Sequence, residues 1–151
     1  MTEPLSSSIA SNQKRIAAFV IDDMVITLFF IIIFYDQFSA VLSNITVVDE
    51  AALESINSFI AQNLLVVLSI KLLYHTVLVW QNGMTLGKYF MKIKVIELET
   101  GDTPSFQKAF LRASVRIPSE VLFYLGFLMA FFVPLRQTLH DKLSNCVVVN
   151  D

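Results

Sequence analysis

One run of residues narrows what this chain can fold into. From Arg15 through Ile-Ala-Ala-Phe-Val-Ile to Asp22-Asp23 and on to Tyr35 it is almost unbroken apolar sequence, with two aspartates inside it. About twenty apolar residues are enough for a helix to cross the hydrocarbon core of a bilayer. A carboxylate at the centre of such a helix costs roughly 2.5–3.5 kcal/mol on insertion scales. Packing alone would place leucine there, so the two acids require a partner, a proton or a wet cavity. Arg15 precedes Asp22 by seven residues, about two helical turns or roughly 10 Å along the axis. That is too far for direct contact within one helix. Both side chains nonetheless lie on nearly the same face and address one polar seam, with Arg15 snorkelling toward headgroups.

Composition points the same way. Of the residues 55 % are hydrophobic and only 16 % charged, against about 25 % charged in soluble domains. The mean hydropathy is +0.64, and the apolar residues fall in long runs, so the surplus belongs to a membrane and not to a large soluble core. A single cysteine, Cys146, excludes an intramolecular disulfide and argues against a metal cluster. No basic tract with interleaved aromatics supports nucleic-acid binding. Two histidines, no nucleophile motif and no metal-ligand spacing argue against an enzyme and suggest no cofactor.

Residues 1–12 are polar and Ser-rich, expected as a disordered tail. Lys14 and Arg15 could open a signal peptide, but Asp22-Asp23 interrupts the apolar region and the cleavage site is poor, so a retained first span over about 16–35 fits better. Residues 36–58 hold Asp36, Asp49, Glu50 and Glu54 and no Lys or Arg. The positive-inside rule makes this loop external and the N-terminus cytoplasmic. Asp49 reads as the N-cap of a helix. The second span, about 59–80, carries Lys71 and His75 one turn apart. They read either as a proton-titrating or counter-charge pair facing Asp22 and Asp23, or as a snorkelling lysine and a hydrogen-bonded histidine.

Gln81 to Lys88 resembles a phosphate-binding loop but is one residue short, and Tyr89 stands where Ser or Thr would bind magnesium. It reads instead as a glycine-bearing turn, with Lys88 available to lipid phosphates. Met91–Glu97 alternates like a half-buried strand. Thr103-Pro104 suggests an N-cap and first helical residue for a basic amphipathic helix lying at the cytoplasmic interface, with lipid phosphate the expected partner of Arg112 and Arg116. Glu120 follows Arg116 by one turn and is expected to pair with it. The apolar residues 117–135 make either a third span or a re-entrant hairpin broken at Pro118, Gly126 and Pro134. Arg136 and Lys142 beyond it favour a cytoplasmic C-terminus. Thr138 to Asp141 has capping-box spacing, and Cys146–Val149 reads as a strand.

Three segments together resemble the RDD family of bacterial membrane proteins. They are Arg15-Ile-Ala-Ala-Phe-Val-Ile-Asp22; Gly83-Met-Thr-Leu-Gly87-Lys88 leading into Ile93-Lys-Val95; and Arg136-Gln-Thr-Leu-His140-Asp141-Lys142 leading into Val147-Val-Val. The family is named for one arginine and two aspartates, which by position are Arg15, Asp22 and Asp141. Asp23 is an extra acid beside the motif, and Asn145-Cys146-Val147 departs from the small Gly-Thr-like turn the resemblance implies. The resemblance also implies a transport role.

The expected architecture is an all-α membrane protein covering 13–149. It has two transmembrane helices, a third hydrophobic segment, an interfacial amphipathic helix and room for a small two-stranded cytoplasmic sheet. It would be multi-pass in the bacterial cytoplasmic (inner) membrane. Arg15, Asp22 and Asp141 are the leading site residues, either binding an ion or small solute or forming a structural clasp. Asp23, Lys71, His75, Arg116 and Glu120 are secondary. Partners expected are the lipid bilayer and either further copies of the chain or another membrane protein.

Overall fold

A computed structural model of the chain describes residues 9–122 and 128–151. Helix α1 (Asn12–Ile33) starts at Ser11, whose hydroxyl accepts from the Lys14 N–H. Its buried residues are Ala18, Asp22, Ile26 and Phe30, one per turn, so the single inward stripe contains an acid. Ile16, Val20, Met24, Leu28, Ile32 and Ile33 point outward and are exposed. In water such a face would be costly; in hydrocarbon it costs nothing. After a break at Phe34 come α2 (Tyr35–Ser43) and then α3 (Glu50–Gln62), which is capped by Asp49 as expected. Rings of Phe30, Phe38 and Phe59 join the two arms of this hairpin.

Helix α4 (Leu64–Asn82) begins after Asn63, so the second apolar helix starts five residues later than the expected span. Gly83, with φ of +71°, ends it in the left-handed region that favours glycine. Short helix α5 (Leu86–Met91) packs across α1, while α6 (Phe106–Val121) packs along α4. The N-cap of α6 is Ser105 and not Thr103, because Ser105 Oγ accepts from the Lys108 N–H and Pro104 lies buried ahead of the helix. Residues 117–121 of the expected third segment complete α6. Residues 123–127 lie outside the described residues, and Met129–Phe131 is one 3-10 turn. Among the described residues, two helices, α1 and α4, are long and apolar enough to cross a membrane.

Strand β1 (Ile93–Glu97) pairs antiparallel with β2 (Cys146–Asn150), which follows α7 (Leu139–Leu143). Ile9 bridges Val149, and the Ala10 N–H donates to the Val148 carbonyl. Of the expected tail, Ile9 and Ala10 are therefore tied to the sheet, and Ser11 and Asn12 open α1. The conventional apolar core lies against this sheet, where Ala10, Ala18, Val79, Ile93, Val95, Ala109, Cys146 and Val148 are buried together. Between the helices the interior is polar. Helix α6 is inside out: Ala109, Arg112, Ala113 and Arg116 are buried while Phe106, Phe110 and Leu111 are exposed.

Candidate functional site

Asp22 is fully buried and has three donors. Tyr74 Oη donates at 2.8 Å, Thr85 Oγ1 at 2.6 Å and the Gly87 N–H at 2.8 Å. The Gly87 N–H is one of the orphan amides at the start of α5, and the next one back, Leu86 N–H, donates to Tyr74 Oη at 3.2 Å. The Thr85 hydroxyl faces Asp22 instead of capping its own helix. Asp22 and Tyr74 thus cap α5 from two other helices. Close approach makes this possible: a Cβ on Gly87 would overlap the Ala18 carbonyl oxygen and lie 3.0 Å from Asp22 Cγ. Lys88, one residue on, turns inward, 3.2 Å from Thr85 Oγ1 and 4.0 Å from Asp22 Oδ2. Burial, and then Arg112, push the Lys88 ammonium down to about 7, with Asp22 pulling the other way.

Asp141 is as deeply buried but differently held. Arg112 donates to its Oδ1 through Nε at 2.8 Å and Nη2 at 2.6 Å, and Arg15 Nη2 donates to Oδ2. The Thr138 N–H donates to Oδ2 at 3.2 Å and Thr138 Oγ1 accepts from the Asp141 N–H, closing the capping box on α7. Arg15 Nη1 also donates to the Arg136 carbonyl. Arg15 and Arg112 thereby join α1, α6 and the C-terminal segment at one carboxylate. Burial opposes ionisation of Asp141, but Arg112 and Arg15 outweigh it and hold the carboxyl well below the usual range. Neighbouring His140 is kept neutral chiefly by burial, against the pull of Asp141.

A third cluster joins α1, α4 and α6. Lys71 Nζ donates to Asp23 at 2.8 Å and to Glu120 at 2.9 Å. Arg116 Nε donates to Glu120 at 2.8 Å, its Nη1 lies 3.3 Å from His75 Nδ1, and its guanidinium sits 5.1 Å from the Phe19 ring centroid. A guanidinium can only donate, so Nδ1 accepts and the His75 proton belongs on Nε2.

Four of these cations, Arg15, Lys88, Arg112 and Arg116, line a cavity of about 440 Å³. Asn12, Thr138 and His140 line it too, and the rest of its lining is apolar.

The expected residues therefore meet, though not as one triad. Arg15 joins Asp141, while Asp22 takes Tyr74, Thr85 and Gly87 instead. Lys71 does face Asp23, and Glu120 does pair with Arg116. His75 faces Arg116 and neither aspartate. Arg112 and Arg116 reach the protein carboxylates Asp141 and Glu120, and Lys88 points inward toward Asp22. Nothing in the sequence alone singles out Tyr74, Thr85 or Arg112 as site residues. For Gly87 and Lys88 a signal exists: a loop rich in donors next to an apolar helix that carries an unexplained acid.

The RDD family model matches residues 9–145. No curated protein and no solved structure matches the chain.

Proposed function

This chain belongs to the RDD family, and from that premise we propose that it is a small bacterial inner-membrane protein that carries an ion or small solute through its charged core. The observation that supports this reading is the cavity onto which four cationic side chains from three helices converge. The solute-facing groups are these cations and not Asp22, whose oxygens are occupied by three protein donors. Arg15 both lines the cavity and binds Asp141, so the motif's arginine serves the site and the fold together. Two helices cannot enclose a solvated path, so passage would use several copies, joined through the apolar faces α1 and α4 leave outward. The N-terminus and the sheet would be cytoplasmic, with α6 along the inner interface.

The test is flux of protons and a panel of small cations and anions in proteoliposomes. Arg116→Gln is expected to lower flux at least tenfold, while Glu120 keeps Lys71 as its partner. A wild-type protein that passes none of these ions removes the carrier reading. Asp22→Asn asks about the acid itself: flux lost at unchanged stability would restore Asp22 as the ion-binding group.

A second reading, a non-transporting scaffold or partner subunit, is favoured by the convergence of Arg15 and Arg112 on Asp141, which needs no ligand to explain it. A folding defect in Asp141→Asn that is relieved by Arg15→Gln, with no flux in either protein, would select it.

A further inference from the structure

The network around the cavity is not balanced in charge. Arg15, Lys71, Lys88, Arg112 and Arg116 face Asp22, Asp23, Glu120 and Asp141, five cations against four carboxylates. The excess falls where Arg15 and Arg112 share Asp141, and Lys88 reaches its one carboxylate, Asp22, only at 4.0 Å, the longest approach of this set. Buried positive charge in excess is costly, so either Lys88 releases its proton or the protein holds an anion nearby. The cavity offers the place: Lys88, Arg15, Arg112 and Arg116 all line it, and among the described residues no carboxylate side chain does.

The apolar part of the lining says what kind of anion. Ile16 and Val20 of α1, Leu128 and Phe131 belong to it, and all four are exposed. The cavity thus opens beside the apolar face of a helix long enough to cross a bilayer. A free inorganic anion would use only the basic groups and leave the apolar lining uncovered. We infer that the cavity binds an anionic phospholipid of the surrounding leaflet, its phosphate against Lys88, Arg112, Arg116 and Arg15 and its acyl chain along Ile16, Val20, Leu128 and Phe131. This rests on the basic cavity being the solute-facing site, and it names the class of molecule that site takes. Arginine forks suit phosphate oxygens, and basic recesses between spans are suited to acidic headgroups.

Protonation is coupled to binding. The groups facing Lys88 are Asp22 and Arg15 from α1, His75 from α4, Arg112 and Arg116 from α6, and His140 and Asp141 from α7. Lys88 is brought down to about 7 by burial and then by Arg112. It is charged below that value, so affinity for the lipid falls as pH rises through it.

The test uses the full chain in nanodiscs of zwitterionic phosphatidylcholine doped with phosphatidylglycerol. Native mass spectrometry reads the retained lipid and thermal unfolding reads the shift in Tm. Retention of phosphatidylglycerol over phosphatidylcholine is expected, with a raised Tm, stronger at pH 6 than at pH 8.5. Lys88→Met is expected to weaken retention at least tenfold, about 1.4 kcal/mol, and to flatten the pH dependence. Phe131→Asp changes an exposed residue, so it is a second variant that leaves the interior alone; it too should abolish the preference. Inorganic phosphate added to phosphatidylcholine discs should not shift Tm. Equal retention of both lipids, a phosphate shift as large as the lipid's, or an unchanged preference in both variants would overturn the inference. Ion flux that persists without lipid preference would overturn it while leaving the carrier reading intact.

Discussion

Asp22 and Asp141 are the same side chain, both fully buried and both at the start of a short helix, yet they are stabilised by opposite means. Asp22 caps α5 from a different helix and receives a phenol, a hydroxyl and a backbone amide, with its lysine held off at 4.0 Å. Asp141 caps its own helix and receives two guanidinium groups. One acid is held by neutral dipoles and the other by full charges. The difference teaches that the two motif aspartates are not interchangeable halves of one site. Asp22 fixes how the α4–α5 turn docks on the first span, and Asp141 fixes where the chain's end docks on that span and on α6.

The contrast can be broken in order of expected effect. Asp141→Ala should be the most damaging change, because it leaves Arg15 and Arg112 facing each other; removing one member of a buried pair costs about 3–5 kcal/mol. Thermal unfolding in detergent measures it, and adding Arg112→Met should recover a large part. Because the Asp141 pKa is depressed, this stabilisation is constant from neutral pH down to about 4, the ordinary carboxylate range, and is lost only below it. Gly87→Ala should come next, at about 1–3 kcal/mol, since overpacking against the Ala18 carbonyl forces α5 off α1. A Gly87→Ala protein as stable as wild type would mean that the two helices do not touch as described.

Asp22→Asn should be milder, about 1.5 kcal/mol, because an amide oxygen still accepts from Tyr74 and Gly87 while Thr85 can turn its hydroxyl. If it proves as costly as Asp141→Ala, the division into neutral and charged support is wrong. Lys94→Ala removes the half-exposed ion pair with Asp151 at 2.9 Å and should cost under about 0.5 kcal/mol, setting the floor of the scale.

The local features were readable from the residues. Asp49 caps α3, Thr138 and Asp141 form the capping box, Glu120 meets Arg116 and the two strands occur where alternation put them. Each depends on neighbours within a few positions or on a period of two. Asp22's partners lie 52 to 65 positions away, and nothing in Tyr74 or Thr85 distinguishes them from ordinary span and turn residues. Lys88 misled for a related reason. A lysine after a turn normally seeks water or phosphate, and only the packing of α5 on α1 turns it inward. The inside-out character of α6 was equally hidden, since an amphipathic period gives two faces but not which one is covered.

The pairing of β1 with β2 has a topological consequence. Ladder-bonded strands must share one aqueous compartment, and the bridge from Ile9 to Val149 brings the chain's beginning to that compartment as well. With α1 and α4 both crossing, the path from Ile9 to Ile93 would enter a bilayer and leave it on the side where it began. The path from Glu97 to Cys146 must then obey parity: it crosses twice or not at all. A single traverse between Glu97 and Cys146 would put the two paired strands on opposite faces of the bilayer and break their ladder.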